Sequence, residues 1–137
     1  TSDNPAYSLP NLPNLGRIDM NNTHLAIGCY PGGSSFKVLE LSTLSSPLYQ
    51  TVPGQDCPSE VSFNDKGFFI PGDDNIIGWN SVAEALSGSS PTMSFGGRTD
   101  KSNIGTKMAA GIGWDGYHFW VGEYKFSNRL LGFAPSK

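Results

Sequence analysis

Few side chains in this 137-residue sequence could serve as nucleophile, general base or metal ligand. There are two histidines, His24 and His118, and two cysteines, Cys29 and Cys57. Two imidazoles without an Asp or Glu at ligand spacing make a poor zinc set, so both histidines are expected to flank turns and no metal site is expected. Two cysteines are too few for a disulfide scaffold. They form either one bridge, which would imply an oxidising compartment, or two small buried residues. Gly96-Gly97-Arg98 is not a phosphate loop, because no Gly-Lys-Ser/Thr and no helix follow it. Ser34, Ser45 and Ser46 have no G-x-S-x-G setting, which removes a hydrolase elbow. Asn21-Asn22-Thr23 reads as a glycosylation sequon set in a tight turn. No cofactor fingerprint is present, and none is expected to bind.

Composition describes what must hold these residues. Gly and Pro together make about a fifth of the chain, against roughly 12% in an average protein, and charged residues are only 15%. Aromatics reach 12%, and β-branched and aromatic types outnumber the Glu and Lys that helices favour. That is the profile of a turn-rich all-β protein with a core to bury. A net charge of −3 with no basic cluster argues against a nucleic-acid footprint. No apolar run approaches the roughly 20 residues of a membrane helix, and no signal-like segment is present. The sequence starts at Thr1 without Met, so it reads as processed, trimmed or cut from something longer.

Internal repetition organises the chain. Gly16 to Tyr30, Ser59 to Asp73 and Ala110 to Tyr124 align without a gap over fifteen residues. Ile18, Val61 and Ile112 share one column, and Met20, Phe63 and Trp114 share the next alternate one. A polar turn follows in each: Asn21-Asn22, Asn64-Asp65, Asp115-Gly116. After it Leu25, Phe68 and Phe119 align, then Ile27, Ile70 and Val121. Apolar residues two apart on both sides of an Asn/Asp/Gly turn specify a β-hairpin. His24 and His118 fall in one column, where the middle block has Gly67. A third apolar strand is expected at 36–41, 75–79 and 129–133. A fourth, opened by proline, is expected at 47–52, 91–95 and, at the N-terminus, 5–9. Proline at a strand start suits a sheet edge. Ser81-Val82-Ala83-Glu84 is a capping box that opens a short helix. Trp79, Trp114 and Trp120 fall in strands and are expected to pack between units.

Four short strands per unit, recurring at roughly 40–50 residues, match β-propeller blades. Lys66-Gly67-Phe68-Phe69-Ile70 with Asp74 to Ser81, and Gly122-Glu123-Tyr124 with Ser127 to Leu131, resemble blades of NHL-type propellers. In that family a G-x-L-Y-V-A-D hairpin precedes an N-N-R-V-L-V-W strand, and Arg129 fits its structural arginine. Pro31 to Ser35 replaces the Asn-Arg turn in the first blade. The resemblance implies three four-stranded blades in a single unit spanning 1–137, at about 12–52, 57–96 and 108–133, the last completed by strand 5–9. Three blades cannot close a ring, and NHL-like rings usually have six. The expected assembly is therefore a homodimer that completes a six-bladed ring by exchanging its N-terminal strands. The alternative is one half of a longer six-bladed chain.

In such a ring, the end of a second strand and the start of a first strand share one rim, which places Cys29 near Cys57. The same rim would carry Tyr30, Asp73, Asp74, Glu123 and Tyr124, either as turn and packing residues or as a ligand site at the channel mouth for a sugar, a cationic group or a peptide. The expected function is a non-enzymatic binding and assembly scaffold. The alternative is a metal-dependent propeller enzyme of lyase or lactone-hydrolase type with its site on the dimer axis, where Glu123 from both copies would hold the metal. A secreted or periplasmic location is consistent with a Cys29–Cys57 bond.

Overall fold

The structure, a computed structural model, describes residues 15–29, 35–72, 75–96, 109–123 and 130–135. Within them the chain is all-β, apart from one short helix and a 3₁₀ turn at Leu41–Thr43. Strands β1 (Leu15–Met20), β2 (His24–Cys29), β3 (Lys37–Glu40) and β4 (Tyr49–Thr51) form a first antiparallel sheet in chain order. The second sheet repeats that order with β5 (Ser62–Asn64), β6 (Gly67–Pro71), β7 (Asn75–Trp79) and β8 (Met93–Gly96). The third contains β9 (Ala109–Trp114), β10 (Phe119–Glu123) and β11 (Leu130–Phe133). The strand expected at 5–9 and Arg129 lie outside the described residues. Both proline-led fourth strands, β4 and β8, are sheet edges, where a missing N–H costs no ladder bond. The helix α1 (Val82–Leu86) starts as its sequence requires: Ser81 Oγ accepts from the Glu84 N–H at 3.2 Å, and the Glu84 carboxylate accepts from the Asn80 N–H at 3.1 Å.

The hairpin register explains the repeat. Met20 lies opposite Leu25, Phe63 opposite Phe68, and Trp114 opposite Phe119. Residues directly opposite share a face, so the alternating apolar columns become one apolar face per hairpin. The column holding Leu25, Phe68 and Phe119 faces the preceding sheet, and the next column, holding Ala26, Phe69 and Trp120, faces the following one. Phe68 accordingly joins the core between sheets one and two, with Ala26, Phe36, Val38, Val61 and Trp79. Phe69, its neighbour, enters the core between sheets two and three, with Phe95, Phe119, Val121 and Phe133. The middle sheet is thus buried on both faces, as the continuous apolar run Phe68-Phe69-Ile70 demands.

Like positions of successive sheets meet. The Phe63 N–H donates to Asp19 Oδ2 at 2.8 Å, linking the first sheet to the second. The Trp114 indole donates to Asp65 Oδ1 at 3.0 Å, linking the second to the third. The first strands adjoin in turn, β1 against β5 and β5 against β9. At the other edge the Gly96 N–H donates to the Ala134 carbonyl at 2.6 Å.

The two end faces differ from these interior boundaries. Ile18 and Met20 point away from the second sheet and are 59% and 53% exposed, whereas Val61, which shares the Ile18 column, is 3% exposed. On the far face of the third sheet Trp120 is 40% exposed and Leu130 is exposed. Register places Gly111, Gly113, Gly122 and Gly132 around Trp120 on that same face. Trp79 is buried and Trp114 packs against Phe95 and Phe119, so Trp120 is the tryptophan that finds no neighbouring sheet among the described residues.

Candidate functional site

Each hairpin turn is built by the same repeat position. Asn21 Oδ1 accepts from the Thr23 and His24 N–H groups at 2.9 and 2.7 Å. Asn64 Oδ1 accepts from the Lys66 N–H at 2.8 Å, and Asp115 Oδ1 accepts from the Tyr117 and His118 N–H groups at 2.8 and 2.6 Å. A short side chain that bonds its own backbone two or three residues on is what such a turn needs. Asp115 Oδ2 also accepts from the Trp120 indole at 2.9 Å and from His118 Nδ1 at 3.2 Å. The His118 N–H, the Trp120 indole and the Tyr117 N–H, in that order, hold this exposed carboxyl well below the usual carboxylate range. The His118–Asp115 pair orients an imidazole, but the carboxylate is spent on the turn and His118 bonds to no nucleophile among the described residues.

Between the first two turns lies a cleft of about 390 Å³. Asn21, Thr23 and His24 line one side, Asn64 to Phe68 the other, and Asn80 to Ala83 close it at the start of α1. Two residues explain why it is open here. At the second boundary Trp114 reaches the preceding turn with its indole, whereas the equivalent Phe63 has no N–H and stacks back on Phe68 at 4.7 Å. Gly67, in the histidine column, has φ +149° and its missing side chain would run into the Trp79 carbonyl, so no imidazole can stand there. Asn64 Nδ2 is buried and makes no hydrogen bond, the one such side-chain atom among the described residues.

The opposite end of the sheets carries the second chemical cluster. Cys29 and Cys57 are joined in a disulfide with Cα atoms 5.6 Å apart, supported by a 2.8 Å bond from the Cys29 N–H to the Pro58 carbonyl. Beside them Arg17 Nε lies 3.4 Å from Glu60 Oε1, with the Glu60 side chain 5% exposed. Burial pushes the Glu60 carboxyl up to about 7, outweighing the Arg17 guanidinium that pulls it down. Arg17 and Glu60 share one column of the repeat, so the opposite charges at adjacent units were a signal in the aligned sequence. Of the expected rim residues, Tyr30, Asp73, Asp74 and Tyr124 lie outside the described residues. Glu123 ends β10, which places its backbone at the strand end equivalent to Cys29.

Among the described residues no three His, Cys, Asp or Glu side chains gather to hold a metal ion. No helix there is long and apolar enough to cross a membrane. A scan of protein-family models gave no match, and no curated protein or solved structure matches the chain either.

Proposed function

We propose that this chain is a binding and assembly scaffold: half of a six-bladed, NHL-like β-propeller that two copies complete. One observation carries the reading. The repeat is directional, each sheet offering one face to the sheet before it and one to the sheet after it, and the two terminal faces hold exposed Ile18 and Met20 at one end and Trp120 and Leu130 at the other. A contact of the first face of one copy with the last face of another is heterologous, and made twice about a two-fold axis it closes a ring. Protruding side chains of the first face would seat on the glycine floor of the last, which bears one indole. Closure would also remove the open sheet faces and edges, the usual reason propellers are rings.

In this reading the ligand site is the channel mouth, with Tyr30, Asp73, Asp74, Glu123 and Tyr124 as its candidate residues for a sugar, cationic group or peptide. The Cys29–Cys57 bond at that rim favours an oxidising compartment. Light scattering tests the assembly. The expected mass is twice 14.7 kDa, falling to 14.7 kDa in Ile18→Asp, which puts a charge on an already exposed position. A well-folded 14.7 kDa monomer of the unaltered chain at high concentration would overturn the ring.

A further inference from the structure

Asn21-Asn22-Thr23 is the one N-x-S/T triplet in the chain, and it forms the tip of the first hairpin, between β1 and β2. All three residues are exposed. The three hairpin turns share one structural task, to hold a side-chain oxygen where backbone N–H groups two or three residues on can reach it. Asp115 performs it with a carboxylate, so the task needs no amide. Lys66 and Tyr117 stand where the first turn has Thr23, so it needs no hydroxyl either. The carboxamide of Asn21 and the hydroxyl of Thr23 are chemistry beyond what the turn requires.

Geometry sets which end of that carboxamide is free. The N–H groups of Thr23 and His24, at 2.9 and 2.7 Å, belong to the backbone and can only donate, so the Asn21 atom they meet is the oxygen. Thr23 Oγ1 lies 3.1 Å from the same Oδ1 and donates to it. The amide nitrogen Nδ2 is left without a partner among the described residues. Asn64, the other amide at this repeat position, differs on both counts: its Nδ2 is buried, and a lysine stands two residues on. An exposed, unbonded carboxamide nitrogen with a hydroxyl residue two places on is the acceptor of N-linked glycosylation, a modification of surface turns in exported proteins. Export fits the Cys29–Cys57 disulfide, since such bonds form and persist in oxidising compartments. We infer that Asn21 is a site of N-linked glycosylation. The donor is an oligosaccharide carried on a lipid pyrophosphate. The bond between sugar C1 and the phosphate oxygen breaks, Asn21 Nδ2 bonds to C1, one Nδ2 proton is released and the lipid pyrophosphate leaves. The product keeps Oδ1 and one N–H, so every hydrogen bond that builds the turn survives. The site stands apart from ring closure and shares with that reading only the oxidising compartment.

Mass spectrometry of the reduced tryptic peptide 18–37 tests the site, on the chain isolated from its own cells and on the full chain secreted by a cultured eukaryotic cell. In both, the peptide should carry a hexosamine-linked glycan that peptide-N-glycosidase F removes, converting Asn21 to aspartate. The repeat itself supplies the control variant. Asn21→Asp keeps the oxygen that builds the turn, as Asp115 does in the third unit, and removes the nucleophilic nitrogen. Thr23→Ala removes the hydroxyl, leaves the asparagine in place and serves if Asn21→Asp does not fold. Thr23→Ser restores the hydroxyl. In the secreting cell the glycan should be lost completely from Asn21→Asp and Thr23→Ala and kept in Thr23→Ser. An unmodified Asn21 in the chain from its own cells, or a glycan that survives Asn21→Asp or Thr23→Ala, would overturn the inference.

Discussion

Phe69 and Trp120 occupy the same position in two copies of one repeat, yet Phe69 is fully buried and Trp120 is 40% exposed. Their strands are alike: each pairs on both sides, and each places an aromatic residue toward the following sheet. The difference is the neighbour. Phe69 meets Phe95 and Phe119 of the next core, while Trp120 stands over glycines that open on space. A repeat writes the same instruction into every unit, but burial depends on what covers each face: on the outer face of the first sheet Ile27 and Leu39 are buried while Ile18 and Met20 are exposed. The interior boundaries therefore carry the stability of the described fold, and the end faces leave Ile18, Met20, Trp120 and Leu130 exposed.

That contrast yields graded predictions. Phe69→Ala leaves a cavity between two sheets and should cost about 3–5 kcal/mol in urea unfolding. A result under about 1 kcal/mol would mean that the interior boundary is not a packed core. Next comes the covalent tie. Replacing Cys29 and Cys57 with serine frees a loop whose ends are 28 residues apart and should cost about 3–4 kcal/mol. Hydrogen exchange should then quicken first in β1–β3, while β9–β11 keep their protection.

Glu60 adds a pH signature to the same boundary. Its carboxyl titrates near 7 in the fold against an ordinary 4.5, so between those values the folded chain holds more protons than the unfolded one. Stability is then full below about 4.5 and falls as pH rises through about 7, by roughly 3 kcal/mol at most. Glu60→Gln should flatten that slope and raise the relative stability at pH 8. An unchanged slope would locate the titration elsewhere. The smallest effect belongs to the end face. Trp120→Ala should cost about 2 kcal/mol in dilute monomer, less than Phe69→Ala, since the indole is already 40% exposed. The sharpest reading of the comparison is its concentration dependence: where two copies associate, Trp120→Ala should approach the cost of Phe69→Ala.

The hairpins were legible in the sequence because their cause is local. Asn21, Asn64 and Asp115 bond to the backbone two or three residues away, and the alternation around them has a period that only a strand can use. The short helix was equally plain, since Ser81 and Glu84 cap its first turn. The cleft was not legible. His24 reads as a turn residue in any alignment, and whether it walls a cavity depends on what Phe63 and Gly67, some 40 residues on, fail to fill. The Arg17–Glu60 pairing left a faint trace in one repeat column, but its burial did not.

By itself the sequence determined the all-β class, three repeating units and the order of strands within each, because side-chain period and turn chemistry act over a few residues. It left the cysteines as either a bridge or two buried thiols, and it placed Trp120 with the buried tryptophans. Only the tertiary structure decided those points, since a sulfur finds its partner and an indole finds its cover through contacts between sheets, which no local pattern encodes.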